Sequence, residues 1–235
     1  MCAPLGTEVF ADGPGDTFEF RLTRDGAGSE YRLSAGEVVV AEGVALEAVL
    51  VLLTRDLMVH VAEHAPDRVF VHAGVVGWRG SALVMPGTSF AGKTTLVAEL
   101  VRAGATYYSD EYAVLDEQGW VHPYPRELQM RRTGEQEQRG VALEALGGSV
   151  GKVPLRVAQV VFAHYVEGGQ WRPEPVSAGM AALEMLRHAI PVQRTPARVM
   201  ATLAKMMETA MAVQSERGEA SETARLLLAA MDAGR

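Results

Sequence analysis

Cysteine is almost missing from this chain. Only Cys2 occurs among 235 residues, which excludes an intrachain disulfide and any Cys-based zinc or iron–sulfur site. Lysine is nearly as scarce: the three are Lys93, Lys152 and Lys205, so the positive charge is carried mainly by arginine. A surplus of positive charge is also lacking. The formal net charge is −7, which argues against non-specific binding to nucleic acid or an anionic membrane. No long apolar run exists. The longest, VALEAVLVLL (44–53), is interrupted by Glu47 and is too short to span a bilayer. The opening MCAPLGTEVFADGPGD has no basic stretch followed by an apolar one, the pattern of a secretory leader. A cytoplasmic protein with no nucleic-acid or membrane partner is expected.

What is present reads as one α/β domain over 1–235, with no internal repeat. A loose segment (1–16) precedes a small antiparallel sheet and a helix (17–64), in which TFEFRL, YRLS and VVVAEG alternate as strands. A core follows over 69–166, with strands at 69–77 and 81–85. After 86 comes the amphipathic TTLVAELVRAG, closed by Gly104. One strand is predicted over 106–115, a turn at 116–119 and a return strand at 120–125. The polar, Gly-rich 126–152 is expected as mobile loop, and 157–166 as a strand. Over 177–235, Ser177 caps a helix to Ala189, Thr195-Pro196 opens another to about Met207, MAVQSE is a late strand, and 221–231 is a last helix.

The chemistry starts at Gly87-Thr88-Ser89-Phe90-Ala91-Gly92-Lys93-Thr94-Thr95, a complete G-x-x-x-x-G-K-[ST] string. Its two glycines let the backbone fold into a nest of N–H groups that holds phosphate, and the helix behind it adds its positive end. Lys93 is then the group that reaches the β- and γ-phosphates, and the Thr94 hydroxyl the one that binds Mg²⁺. The required context of strand, loop and helix is met by ALVM before the string and TTLVAELVRAG after it. LGGSVGK (146–152) resembles such a loop but is one residue short, and no Ser or Thr follows Lys152.

A phosphoryl-transfer site also needs a carboxylate for the metal and a base or orienting group for the attacking oxygen. Asp110 and Glu111, adjacent within the otherwise apolar TYYSDEYAVL, supply two candidates. Neighbours on a strand point to opposite faces, so they are expected to do different work. Asp110 follows Lys93 after a single helix and a short return, a separation typical of small kinases. No Asn/Thr-Lys-x-Asp string for reading guanine occurs, which disfavours a GTPase switch.

Residues 69–126, VFVHAGVVG through the loop to WVHPYPR, resemble the catalytic core of HPr serine kinase/phosphorylase and its smaller relatives. That family shares its fold with the nucleotide domain of phosphoenolpyruvate carboxykinase. The resemblance rests on His72-Ala73-Gly74 before the loop, the loop itself, Arg102 to Gly104 at the helix end, and Ser109-Asp110-Glu111 leading into a hairpin. It continues more weakly to the C-terminus. Phe90 stands where the family often has a small residue.

The resemblance implies a mixed sheet with flanking helices around a P-loop, and an ATP- and Mg²⁺-dependent kinase. Its acceptor is a protein, a peptide or a small molecule, and homo-oligomers are common among the relatives. Carried over residue by residue, Asp110 is the general base, Glu111 is associated with the metal and His72 is the histidine near the loop. Lys93 and Thr94 serve the nucleotide and Mg²⁺.

Three readings follow: a protein or peptide serine kinase, a metabolite kinase, and a non-catalytic nucleotide-binding module. Arg126, just past the return strand, is a candidate for phosphate or acceptor charge. Arg131, Arg132 and Arg139 read as a charged loop. HVAEH (60–64) fits a zinc-hydrolase pattern but also a plain amphipathic helix, with no third ligand marked. His122, His164 and His188 carry no signal. The Met-rich LAKMMETAM reads as core or oligomer packing.

Overall fold

The computed structural model describes residues 18–24, 28–87, 92–131 and 138–233. The predicted loose segment 1–16, Thr88, Ser89, Phe90 and Ala91 of the loop string, and Arg132 lie outside them. Contacts divide the chain into two compact units, Met1–His60 and Val61–Arg235. In the first, β1 (Phe20–Arg24), β2 (Glu30–Ala35) and β3 (Val38–Ala45) form an antiparallel sheet in the order β1-β2-β3. α1 (Leu46–His64) follows. His60, one of the two histidines of the zinc-like pattern, stacks on Phe18 with ring centroids 4.1 Å apart.

The second unit is mixed α/β. Its strands are β4 (Val69–Trp78), β5 (Ser81–Pro86), β6 (Thr106–Ser109), β7 (Tyr112–Leu115), β8 (Trp120–His122), β11 (Leu155–Tyr165), β12 (Glu174–Val176) and β13 (Met211–Arg217). The short β9 (Leu128–Arg131) and β10 (Gln138–Val141) pair separately as a hairpin. The large sheet runs β12-β13-β11-β5-β4-β7-β8, with β6 also on β4. β5, β11 and β13 are mutually parallel; β4 is antiparallel to β5, β6 and β7. β8 pairs with the start of β11 as well as with β7, so β4, β7, β8, β11 and β5 close a ring of pairings.

Strand alternation gives each face its own core. Val69, Val71, Ala73 and Val75 pack with Met185, Leu203 and Met206, from α3 (Ala178–Leu186) and α4 (Pro196–Met207). Val76, Leu83 and Met85 pack with Leu96, Leu100 and Leu227, from α2 (Lys93–Arg102) and α5 (Ala220–Ala233). Of the methionines of LAKMMETAM, Met206 and Met207 fill core, whereas Met211 is 61% exposed. No helix among the described residues is long and apolar enough to cross a membrane.

Several expectations are corrected. The strand expected over 106–115 is two strands parted at Asp110-Glu111. Ser109 Oγ accepts from Glu111 N–H (3.1 Å) and Tyr112 N–H (3.0 Å), so a local turn replaces the ladder there. The segment expected as mobile loop over 126–152 contains the β9–β10 hairpin and a 3-10 turn, Leu143–Leu146, because Leu128 and Leu146 are buried against α2. The Gly-rich decoy lies along β6: Tyr107 N–H donates to Ser149 O and Gly151 N–H to Tyr107 O, each at 2.8 Å. α3 ends at Leu186 rather than Ala189, and Ala189 bridges to Val71. Ser177 does cap α3, but the Thr195 hydroxyl makes no cap and instead donates to Pro191 O at 3.3 Å.

Candidate active site

The carboxyl ends of the parallel strands β5, β11 and β13 lie along one edge of the sheet, where open α/β sheets bind ligands. β5 ends at Pro86, and α2 starts at Lys93 after Gly92. The loop is tied to β4 at its first residue, since Gly87 N–H donates to His72 O at 3.2 Å. Lys93 Nζ donates to Gly87 O at 2.9 Å, so the ammonium spans the mouth of the loop. Gly92 is left-handed (φ 75°), and a Cβ there would collide with Arg217 Nη2. Both facts demand glycine at the second fixed position of the string. Gly74 is required for another reason: a Cβ there would meet Val97 Cγ2 at 2.7 Å, so β4 and α2 approach closely only without a side chain.

The break between β6 and β7 places both carboxylates at the start of α2. Asp110 is only 8% exposed. Its Oδ1 accepts from the Tyr107 hydroxyl at 2.8 Å, and the Thr94 hydroxyl lies close enough to the same carboxyl to lower its pKa. The Arg126 main chain lies near the Tyr107 hydroxyl on its other side. Burial pushes the Asp110 pKa up, against the lowering effect of these hydroxyls and of the Arg126 charge. Glu111 is more open, with its side chain 39% exposed. Its pKa is raised by burial and by Asp110, and drawn down by Arg126 and Lys93. Burial lowers the Lys93 pKa, and Glu111 and Asp110 oppose that.

His72 shares the α2-facing parity of β4 with Gly74 and Val76. Its Nε2 lies 3.6 Å from Glu111 Oε1. Burial, Lys93 and His188 lower its pKa to about 4, so the ring is neutral near pH 7 and the contact is a close approach, not an ion pair. Arg126 is exposed and acts on the carboxylates through its charge. Thr95 is exposed on the first turn of α2. The structure thus gathers His72, Gly87, Gly92, Lys93, Thr94, Asp110, Glu111 and, at the rim, Arg126.

Two neighbours were missed in the sequence. His188 O accepts from His72 N–H at 2.8 Å, and the half-buried His188 ring has its own pKa lowered by burial. Tyr107 could have been found from its position three before Asp110. An open cleft of about 650 Å³ adjoins Gly87 and His188, with exposed His164, Arg172 and Glu174 on its rim.

The oxygen donors fit a hard cation. A hydroxyl and a carboxylate near one another, with a second carboxylate beside them, are the donor types Mg²⁺ takes alongside water and phosphate oxygens. No protein-family model matches the chain, and no curated protein matches it significantly.

Proposed function

We propose that this chain is an ATP- and Mg²⁺-dependent kinase with a P-loop fold like that of HPr kinase and phosphoenolpyruvate carboxykinase, transferring the γ-phosphoryl group to a hydroxyl. The acceptor we favour is a serine of a protein or peptide. The observation that carries the reading is the placement of the Thr94 hydroxyl beside the buried Asp110 carboxyl. It brings the hydroxyl of the nucleotide string to a buried carboxylate from another strand, the pairing that holds the metal in P-loop enzymes.

Bound between Thr94, Asp110 and the phosphates, Mg²⁺ would supply charge neutralisation on the β- and γ-oxygens. The amides at the start of α2 and the Lys93 ammonium hold the polyphosphate and the charge that develops on it. The geometry favours an exchange of the roles that the resemblance implies for the two acids. Asp110, buried, bonded to the Tyr107 hydroxyl and near that of Thr94, suits the metal side. Glu111 is accessible, and its pKa is raised toward the range of a useful base, so it suits the acceptor side. Glu111 takes the proton of the acceptor hydroxyl as that oxygen bonds to the γ-phosphorus. The bond from phosphorus to the β–γ bridging oxygen breaks, and ADP leaves. Neutral His72, beside Glu111, orients that carboxylate. The openness of the cleft next to Gly87 favours a chain segment over an enclosed metabolite.

Purified protein, Mg²⁺ and γ-labelled ATP, incubated with a cell extract and separated by size, test this. Label in a macromolecular band that disappears with Lys93→Ala and Asp110→Asn supports the proposal. Label in a small molecule would reassign the acceptor. Tight ATP binding with no transfer in any fraction would leave a binding module.

A further inference from the structure

At the carboxyl edge of the sheet, on the side of α2 and α5, a second feature stands against the nucleotide string. Tyr165 and Arg217 are the last residues of β11 and β13 and are register partners. Arg217 is 3% exposed. Its guanidinium donates to Gly92 O through Nη2 and to Gly218 O through Nη1, each at 3.0 Å, and lies over the Tyr165 ring, 5.3 Å from its centroid. A cation so deeply buried is normally paired with an anion. Here its direct partners are two main-chain carbonyls and a ring.

The surroundings are stiff. Val166 N–H donates to Arg217 O at 2.9 Å, and Gly169 and Gly218 pack so closely that a Cβ on Gly218 would meet Gly169 O at 2.5 Å. The loop after β11 and the junction between β13 and α5 therefore form one rigid corner, bolted through Arg217 to the first turn of α2. Yet Tyr165, in the middle of that corner, is 47% exposed. A preorganised aromatic ring, backed by a buried arginine and open on its outer side, is a stacking surface for another flat ring.

We propose that Tyr165 is the platform on which the purine base of the bound nucleoside triphosphate stacks, with Arg217 fixing platform and phosphate loop at a set separation. The inference rests on reading 87–95 as the nucleotide loop. A nucleotide whose phosphates lie at the start of α2 has its base carried outward along the same strand edge, to the ends of β11 and β13. Stacking on an aromatic ring tolerates different bases, so Tyr165 governs affinity for the nucleoside and not the choice between adenine and guanine.

Calorimetric titration with Mg·ATP and with Mg·tripolyphosphate, on wild type, Tyr165→Ala, Tyr165→Phe and Lys93→Ala, tests it. Tyr165→Ala is expected to weaken ATP binding about ten- to hundredfold while tripolyphosphate binding changes less than about threefold. Tyr165→Phe should keep ATP affinity. Tripolyphosphate binding also reports that each variant is folded. An unchanged ATP affinity in Tyr165→Ala, or an equal loss for both ligands, overturns the platform and leaves the loop reading intact. A wild type that binds neither ligand overturns both.

Discussion

The hydrogen bond between Tyr107 and Asp110 gives a prediction with a definite size. Tyr107→Phe removes a hydroxyl that donates 2.8 Å to a buried carboxylate. A hydrogen bond to a charged group contributes about 1.5–3 kcal/mol, and one between neutral groups about 0.5–1.5 kcal/mol. Tyr107→Phe should therefore cost about 2 kcal/mol in the wild-type background and about 1 kcal/mol when Asp110 is already Asn. Any other change around the lost hydroxyl is common to both backgrounds and cancels from the cycle. The expected coupling is about 1 kcal/mol, read from urea denaturation followed by circular dichroism on wild type, both single variants and the double variant.

The pH dependence has a sign. Burial raises the Asp110 pKa in the folded protein above 3.8, so folding takes up a proton, and stability falls as pH rises from 3.8 through the folded pKa. Tyr107→Phe removes an influence that lowers that pKa, so the fall becomes larger and reaches to higher pH. A coupling indistinguishable from zero, with single costs that simply add, would refute the claim that Tyr107 acts on the Asp110 charge.

Gly74→Ala should lose about 1–3 kcal/mol through overpacking and melt several degrees lower. Val97→Ala in the same chain should restore part of the loss, because Val97 Cγ2 is the atom in the way. His72 should titrate near pH 4 and show flat imidazole shifts from pH 6 to 8 by NMR. Its folded pKa lies below 6.5, so its contribution to stability is complete above pH 6.5 and is lost as pH falls toward 4. His72→Asn should flatten the urea midpoint over that window, and an imidazole midpoint near 6.5 would disprove the burial argument. Ser177→Ala should destabilise by about 0.5 kcal/mol, at the low end because its cap bond is 3.4 Å long. Thr195→Ala should change stability by less than about 0.5 kcal/mol, since its hydroxyl caps nothing; equal losses at both positions would contradict the capping geometry.

Much of the second unit was legible because its local signals agree with its packing. VFVHAGVVGW and SALVMP carry strand residues on either side of a tight turn, and they pair as a hairpin. TTLVAELVR has a helical apolar stripe, and its buried residues are that stripe. The break at Asp110-Glu111 escaped because aromatic and apolar neighbours on both sides read as one continuous strand. The hint was Ser109, whose hydroxyl can replace a ladder bond with a local turn. The β9–β10 hairpin was hidden by polar residues over an alternation, Leu128 and Met130, too brief to register. Tyr165 and Arg217 lie beyond any local signal. Their meeting depends on the parallel register of β11 with β13, and the contact of Arg217 with Gly92 spans 125 positions.

The ring of pairings through β4, β7, β8, β11 and β5 sets an order of assembly. A chain emerging from the ribosome delivers the nucleotide string and Asp110 before its midpoint. β5 then waits for its parallel neighbour β11, and the start of α2 waits for Arg217, the last residue of β13, to lock behind Gly92. Such distant pairings form slowly. On the proposed reading, nucleotide binding is thus a property that a nascent chain acquires late, when the C-terminal strand and helix have docked. A bound nucleotide would then stabilise only the completed fold, so that ligand supply and the yield of finished protein become linked.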